Sequence, residues 1–115
     1  MRIESNGSET CMLVGGGGFV RVHVPVRVVG EVEKARVVSR YVVGAFVGRE
    51  TAWSPRNEHE DRLTFRIPRE LFREQERLTL QLLRTENLGG DETLWTRRYM
   101  LHWVNGEPGV EPISL

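Results

Sequence analysis

The chain has 115 residues, with 16 Lys and Arg against 16 Asp and Glu, and 39% of it is hydrophobic. This composition excludes collagen, a disordered tail and a disulfide scaffold, and no apolar run approaches the ~18 residues of a transmembrane helix. A formal net charge of zero argues against nucleic acid as a partner, because a dedicated nucleic-acid binder carries a basic surplus.

These features predict one folded domain over residues 1–115. Cys11 is the single cysteine, so it has no partner for a disulfide within the chain. The first residues carry no apolar signal core, and we therefore expect a cytoplasmic protein, or part of an assembly made in the cytoplasm, that does not enter a membrane.

The amino-terminal segment predicts a first strand and a loose turn. An Asn6-Gly7 turn signal precedes the apolar residues 11–14, and four glycines follow at 15–18. A phosphate-binding loop would need Lys-Ser or Lys-Thr after the glycines, and Val20 stands where a dinucleotide motif needs glycine. A flexible hairpin loop is the better interpretation.

Residues 20–28 carry the clearest pattern in the chain. Valine occupies positions 20, 22, 24, 26 and 28, and the residues between them are mostly polar. This alternation predicts a strand with one buried and one solvated face. Pro25 lacks a backbone donor, so we expect the strand to lie at a sheet edge or to be bulged there.

A second alternating run at 35–43 has apolar residues on both faces, which favours a position near the middle of a sheet. Residues 49–62 then form the longest connection without an evident pattern, and loops of this length are often functional. Within it, Glu58-His59-Glu60-Asp61 offers donors for a metal. Its spacing does not match a metal motif, and we interpret it as a solvated acidic loop.

Leu63, Phe65 and Ile67 predict a short strand that stops at Pro68. For residues 68–87 two interpretations compete. One is a helical turn after Pro68 followed by a strand with leucines at 78, 80 and 82 inward, and the other is one long helix capped near the glycines at 89–90. We favour the turn and strand, because a strand-rich chain needs partners for its ladders.

The last predicted strand covers residues 95–104, with Trp95, Arg97, Tyr99, Leu101 and Trp103 on one side. The interpretation that Tyr99, Leu101 and Trp103 fill the core is favoured over an exposed aromatic surface. Residues 105–109 are interpreted as a turn cluster, and the tail from 110 to 115 as too short to form a strand with a partner of its own.

Five or more short alternating strands between Gly, Pro and Asn turns predict an all-β fold, an antiparallel β-sandwich of the immunoglobulin-like or jelly-roll kind, with the short helix after Pro68 as an addition. The succession of residues 41–48, then Phe65-Arg66-Ile67-Pro68, Leu71 and residues 78–80 resembles accessory β-sandwiches attached to glycosidases. That resemblance covers less than half of the chain and implies the fold only.

Candidates for catalysis are sparse, and we predict that the chain is not an enzyme and uses no metal or cofactor. Aromatic residues beside arginines are the better lead, because they are typical of protein interfaces and of sugar-stacking surfaces. The candidate binding residues are Trp53, Arg49, Arg56 and Asn57 in the long loop, with Trp95 and Arg97 in the last strand.

The leading functional prediction is a non-catalytic β-sandwich that docks, as a structural or accessory subunit of a homo-oligomer or a larger protein complex such as a virion or particle. Its partner is then a protein or a second copy of the chain. The alternative is a carbohydrate-binding module that stacks sugars on Trp53 and Trp95.

Overall fold

A computed structural model describes residues 2–30, 36–53, 60–85 and 91–113 of the chain. Two antiparallel sheets pack face to face, which confirms the predicted all-β sandwich. The strands are β1 (Arg2–Ser5), β2 (Thr10–Val14), β3 (Phe19–Val29), β4 (Arg36–Val43), β5 (Phe46–Val47), β6 (Thr51–Trp53), β7 (Glu60–Pro68), β8 (Arg77–Thr85), β9 (Asp91–Val104) and β10 (Glu107–Pro112). Arg69–Leu71 forms a 3-10 turn. No helix in these described ranges is long enough to cross a bilayer.

The first sheet, sheet A, is built around β3. On one side β3 pairs with β7 along its length, and on the other it pairs with β1 at one end and β2 at the other. The second sheet, sheet B, runs in the order β10, β9, β8, β4, and its last position is shared by β5 and β6. The sheets also approach each other at both sides, where β2 contacts β10 and β7 contacts β4.

The core between the sheets follows the alternation in the sequence. All five alternating valines of β3 are fully buried, and Leu78, Leu80 and Leu82 of β8 face them from sheet B. The turn and strand predicted for 68–87 are therefore confirmed over the long helix, since only a period of two places these three leucines on one face. Tyr99 and Leu101 are also fully buried, as predicted for the core.

The prediction that Pro25 marks a sheet edge is wrong, because β3 has neighbours on both sides. The proline lies where β1 has ended and β2 has not yet begun, and its carbonyl accepts a hydrogen bond from Asn6 N at 2.8 Å. The N–H that Pro25 lacks would point to the same side. The irregular part is the segment between β1 and β2, which has no regular pairing at this point. The missing N–H of Pro25 therefore removes no hydrogen bond from a ladder.

The interpretation of the tail is also wrong, because Glu107–Pro112 forms β10 and pairs with β9. The hairpin turn consists of Asn105 and Gly106 alone, both with positive φ. The three residues after them, which were predicted as part of the turn, belong to β10. Ile113 N donates to Arg98 O at 2.9 Å. In this register the backbone polar groups of Pro108, Val110 and Pro112 point away from β9, toward the open edge of the sheet. Two of these three outward positions lack a donor, which protects this edge of sheet B against further strands.

Two shorter strands also differ from the prediction. β1 lies ahead of the predicted first strand, and β6 lies inside the connection that was expected to have no regular structure. Both have only three or four residues, too few for an alternation to stand out in the sequence.

Candidate functional site

The candidate site is the edge of sheet B formed by β5, β6 and the residues between them. A turn at Gly44 and Ala45 leads from β4 into β5, where Val42 pairs with Val47. Farther along, Ser39 pairs with Thr51 of β6. Ser39 and Val42 are three positions apart on β4, whereas their partners Val47 and Thr51 are four positions apart on the edge strand. One extra residue therefore bulges out of the edge between β5 and β6.

The hairpin exposes two adjacent apolar side chains. Phe46 is 48% exposed and Val47 is 55% exposed, although both lie in a regular strand. Phe46 lies opposite Val43 and Val47 lies opposite Val42, so the two side chains project from opposite faces of the edge strand. Single exposed apolar residues are common on protein surfaces, but here the tip of one edge is apolar on both faces, a feature of contact surfaces. We call this pair the edge knob.

Tyr41 supports Phe46 of the edge knob from the inner face of β4. Its ring lies 6.4 Å from the ring of Phe46, measured between centroids, and it covers the buried Gly48. Gly48 N also donates to Tyr41 O at 2.8 Å. A Cβ added to Gly48 would overlap the Tyr41 ring, so glycine is required for this close approach. Burial and the charge of Glu70 raise the pKa of Tyr41.

Arg49 lies at the bulge, beside the edge knob. It is exposed and lines a cleft of about 330 Å³ where the edge of sheet B meets β7. Hydroxyl-bearing side chains from both sheets share this cleft, namely Ser39, Tyr41, Thr51 and Thr64. Glu50 follows Arg49 and lies 3.8 Å from the guanidinium of Arg40, which also donates two hydrogen bonds to Gln81. The edge knob therefore has a charged and polar rim.

Trp53 ends β6 opposite Val37. Its side chain is partly buried and packs against the core, so only part of the indole faces solvent. Two other predicted binding residues, Arg56 and Asn57, lie outside the described residues, as do the side chains of the acidic cluster at 58–61.

Trp95 and Arg97, the predicted binding residues of the last strand, lie away from this edge. Trp95 is only 7% exposed and Arg97 is partly buried, because both side chains point between the sheets. Trp95 Nε1 and Arg97 Nε donate to Ser5 Oγ at 3.3 and 3.1 Å. A sugar cannot stack on Trp95 in this arrangement, and both residues instead tie β9 to β1.

Tyr99 extends this interior network. Its hydroxyl donates to Glu9 Oε1 at 2.8 Å, which joins sheet B to the segment between β1 and β2. Burial is the main cause that raises the pKa of Tyr99, followed by this hydrogen bond. Nearby, burial raises the pKa of the Cys11 thiol to about 11. The thiol is therefore protonated at neutral pH and is a poor nucleophile.

His102 lies on the outer face of sheet B. Nδ1 is 3.0 Å from Glu74 Oε1 and Nε2 is 2.9 Å from Glu111 Oε2, and these contacts raise the pKa of the imidazole. Glu74 also accepts a hydrogen bond from the backbone N–H of Trp103. Both imidazole nitrogens are thus engaged by carboxylates, an arrangement that joins the loop before β8 to β9 and β10.

The sequence interpretation selected Arg49 and Trp53 on this edge but missed Phe46 and Val47. Two large apolar residues between Gly44 and Gly48 were a usable signal, because a hairpin that short has no interior in which to bury them. A comparison of the chain with protein-family models, with curated proteins and with solved structures found no match.

Proposed function

We propose that this chain is a non-catalytic docking module that associates with a second copy of itself through the edge knob. The observation that supports this proposal is the adjacent exposed pair Phe46 and Val47, held on a hairpin that Tyr41 and Gly48 fix in place. A subunit of a homo-oligomer needs such a rigid, apolar contact point.

The surroundings of the edge knob match the composition of protein interfaces. Interfaces combine an apolar centre with a polar rim, and arginine is enriched in them. Here Arg49, Arg40 and Glu50 form the rim. The bulge between β5 and β6 interrupts the outer ladder, so the contact is made by side chains and not by a continuous added strand.

The strength of the contact follows from the exposed area. Full burial of a Phe or Val side chain contributes about 1.5–3 kcal/mol, and roughly half of each side chain is still exposed. Covering both therefore contributes about 1.5–3 kcal/mol for each copy. A free-energy difference of about 1.4 kcal/mol corresponds to a tenfold change in a dissociation constant. Loss of the edge knob should therefore raise the dissociation constant at least about tenfold.

Sedimentation velocity from low micromolar to submillimolar protein tests the proposal. We expect reversible association of the unmodified chain, and a shift of its midpoint to higher concentration for the double variant Phe46→Ser, Val47→Thr. Val104→Thr is the matched control, because Val104 is 66% exposed beside the turn between β9 and β10, on the other side of sheet B. A chain that stays monomeric over the whole range, or a control that weakens association equally, would refute self-association through this edge.

The carbohydrate-binding alternative now depends on Trp53, since Trp95 is buried between the sheets. The partly exposed indole of Trp53 offers less stacking surface than an open platform would. Docking of a protein partner is therefore the function that we put forward.

A further inference from the structure

A groove crosses the outer face of sheet B and reaches the hairpin of the edge knob at Val42 and Gly44. Two adjoining cavities of about 570 and 580 Å³ form it, and they share Arg77 and Ile113. Val42, Thr79 and Met100 line it from β4, β8 and β9, while Ile113 extends it past the end of β10. Its length, spread over four neighbouring strands, suits an extended ligand better than a compact one.

Two arginines in the groove are available to a ligand. Arg77 and Arg98 are both exposed, and neither guanidinium forms an ion pair with a carboxylate of the described residues, although Glu76 lines the same cavity. Three other arginines are engaged: Arg40 with Gln81, Arg66 over the ring of Phe19, and Arg69 over the ring of Trp103. The guanidinium donors of Arg77 and Arg98 can therefore bind an anion without first breaking an ion pair.

The register of sheet B sets the spacing of these two arginines. Arg77 lies opposite Met100, and Arg98 lies opposite Thr79, so the two arginines are diagonal neighbours on β8 and β9. The Cα atoms of such diagonal neighbours are about 7–8 Å apart. In an extended peptide, side chains two positions apart lie on the same side and are separated by about 6.5–7 Å. Acidic residues at alternate positions of an extended peptide match this spacing.

We propose that the groove binds an extended acidic peptide of a protein partner, with one carboxylate on Arg77 and the next alternate one on Arg98. The methylene stems of the acidic side chains then pack on Val42, Met100 and Ile113. The groove shares no lining residue with the edge knob, although the two adjoin where Val42 lies opposite Val47.

The other residues of the groove favour a peptide over other anions. No Phe, Tyr or Trp is among its described lining residues, so a uronic-acid glycan would lack a large stacking surface. Glu76 and Glu111 also line the groove, with Glu76 Oε1 accepting from Arg77 N and Glu111 held by His102. These carboxylates would repel a polyphosphate more strongly than singly charged carboxylates spaced along a peptide.

Fluorescence anisotropy with a labelled hexapeptide of alternating glutamate and valine tests the proposal on the full chain. We expect saturable binding that Arg77→Gln and Arg98→Gln each weaken about tenfold and the double variant about a hundredfold. The peptide with glutamine in place of glutamate should not bind. Because both arginines are exposed, the variants should melt at the temperature of the unmodified chain, and this measurement separates lost binding from lost folding.

Arg27→Gln is the matched control, since Arg27 is exposed on the outer face of sheet A, away from the groove. Unchanged binding by this control, together with loss in the groove variants, supports the proposal. Absence of saturable binding, equal loss with Arg27→Gln, or equally strong competition by trigalacturonate would overturn it. The single variant Phe46→Ser changes the inner face of the edge strand, opposite Val43, and should bind the peptide as the unmodified chain does, so failure of one proposal leaves the other testable.

Discussion

Removal of the Tyr99 hydroxyl tests whether the interior network joins the two sheets. Tyr99 is fully buried on β9, and its hydroxyl donates at 2.8 Å to Glu9, which follows β1 in sheet A. Tyr99→Phe keeps the ring in the core and removes this donor alone. The Glu9 carboxylate then loses its partner while it stays partly buried.

The expected loss follows from the charge on the acceptor. A hydrogen bond to a charged group contributes about 1.5–3 kcal/mol, more than one between neutral groups. For a domain of this size, 1 kcal/mol corresponds to roughly 4 °C in Tm. We therefore expect Tyr99→Phe to lower Tm by about 6–12 °C. Urea denaturation should show a lower midpoint with an unchanged slope, because the surface exposed on unfolding stays the same.

Tyr41→Phe is the control for the loss of a phenolic oxygen. The Tyr41 hydroxyl makes no hydrogen bond within the part of the chain that the structure describes, so this variant should change the free energy of unfolding by less than about 0.5 kcal/mol. A double-mutant cycle with Glu9→Gln then isolates the pair. Equal effects of Tyr99→Phe and Tyr41→Phe, or no coupling between positions 9 and 99, would show that the bond does not join the sheets.

Two further predictions concern Gly48 and the histidines. Gly48→Ala should destabilise the chain by about 1–3 kcal/mol, because the added Cβ displaces the Tyr41 ring, whereas Gly109→Ala, with open space around it, should be neutral in the same urea titration. The raised pKa of His102 means that its contribution is present below its ordinary pKa and is lost as pH rises through the folded value. Comparison of His102→Gln with the unmodified chain should therefore show a larger loss of stability near about pH 5.5 than near about pH 9. His23, whose pKa is lowered mainly by burial, should show the opposite trend, and the same trend for both would contradict this assignment.

The strands with long alternation were predictable because their pattern has one cause. Only one face of β3 reaches the core, so its valines recur every second residue, and β8 repeats this with leucines. The Asn105-Gly106 turn was visible too, but the prolines after it hid β10. Proline removes a donor, and whether that loss matters depends on which side of the strand has a partner. The positions of Pro25, Pro108 and Pro112 relative to their neighbours exist only in the folded sheets.

The candidate site shows the same division. Arg49 and Trp53 stood out by composition. Phe46 and Val47 left a signal between Gly44 and Gly48, but their exposure depends on the fold, because their edge strand has no outer neighbour within the described residues. Trp95 and Arg97 resembled a surface motif, and the pairing of β9 turned them inward toward Ser5.

The sequence by itself determined that the chain is an all-β sandwich, since local alternation reports which face of each strand is buried. Charged groups of the chain also pair in the structure, where Arg40 lies close to Glu50 and His102 lies between two carboxylates. Only the tertiary structure decided which arginines lack an acidic partner and which apolar residues stay exposed. Both depend on contacts between strands far apart in the chain, and no local pattern of residues records those contacts.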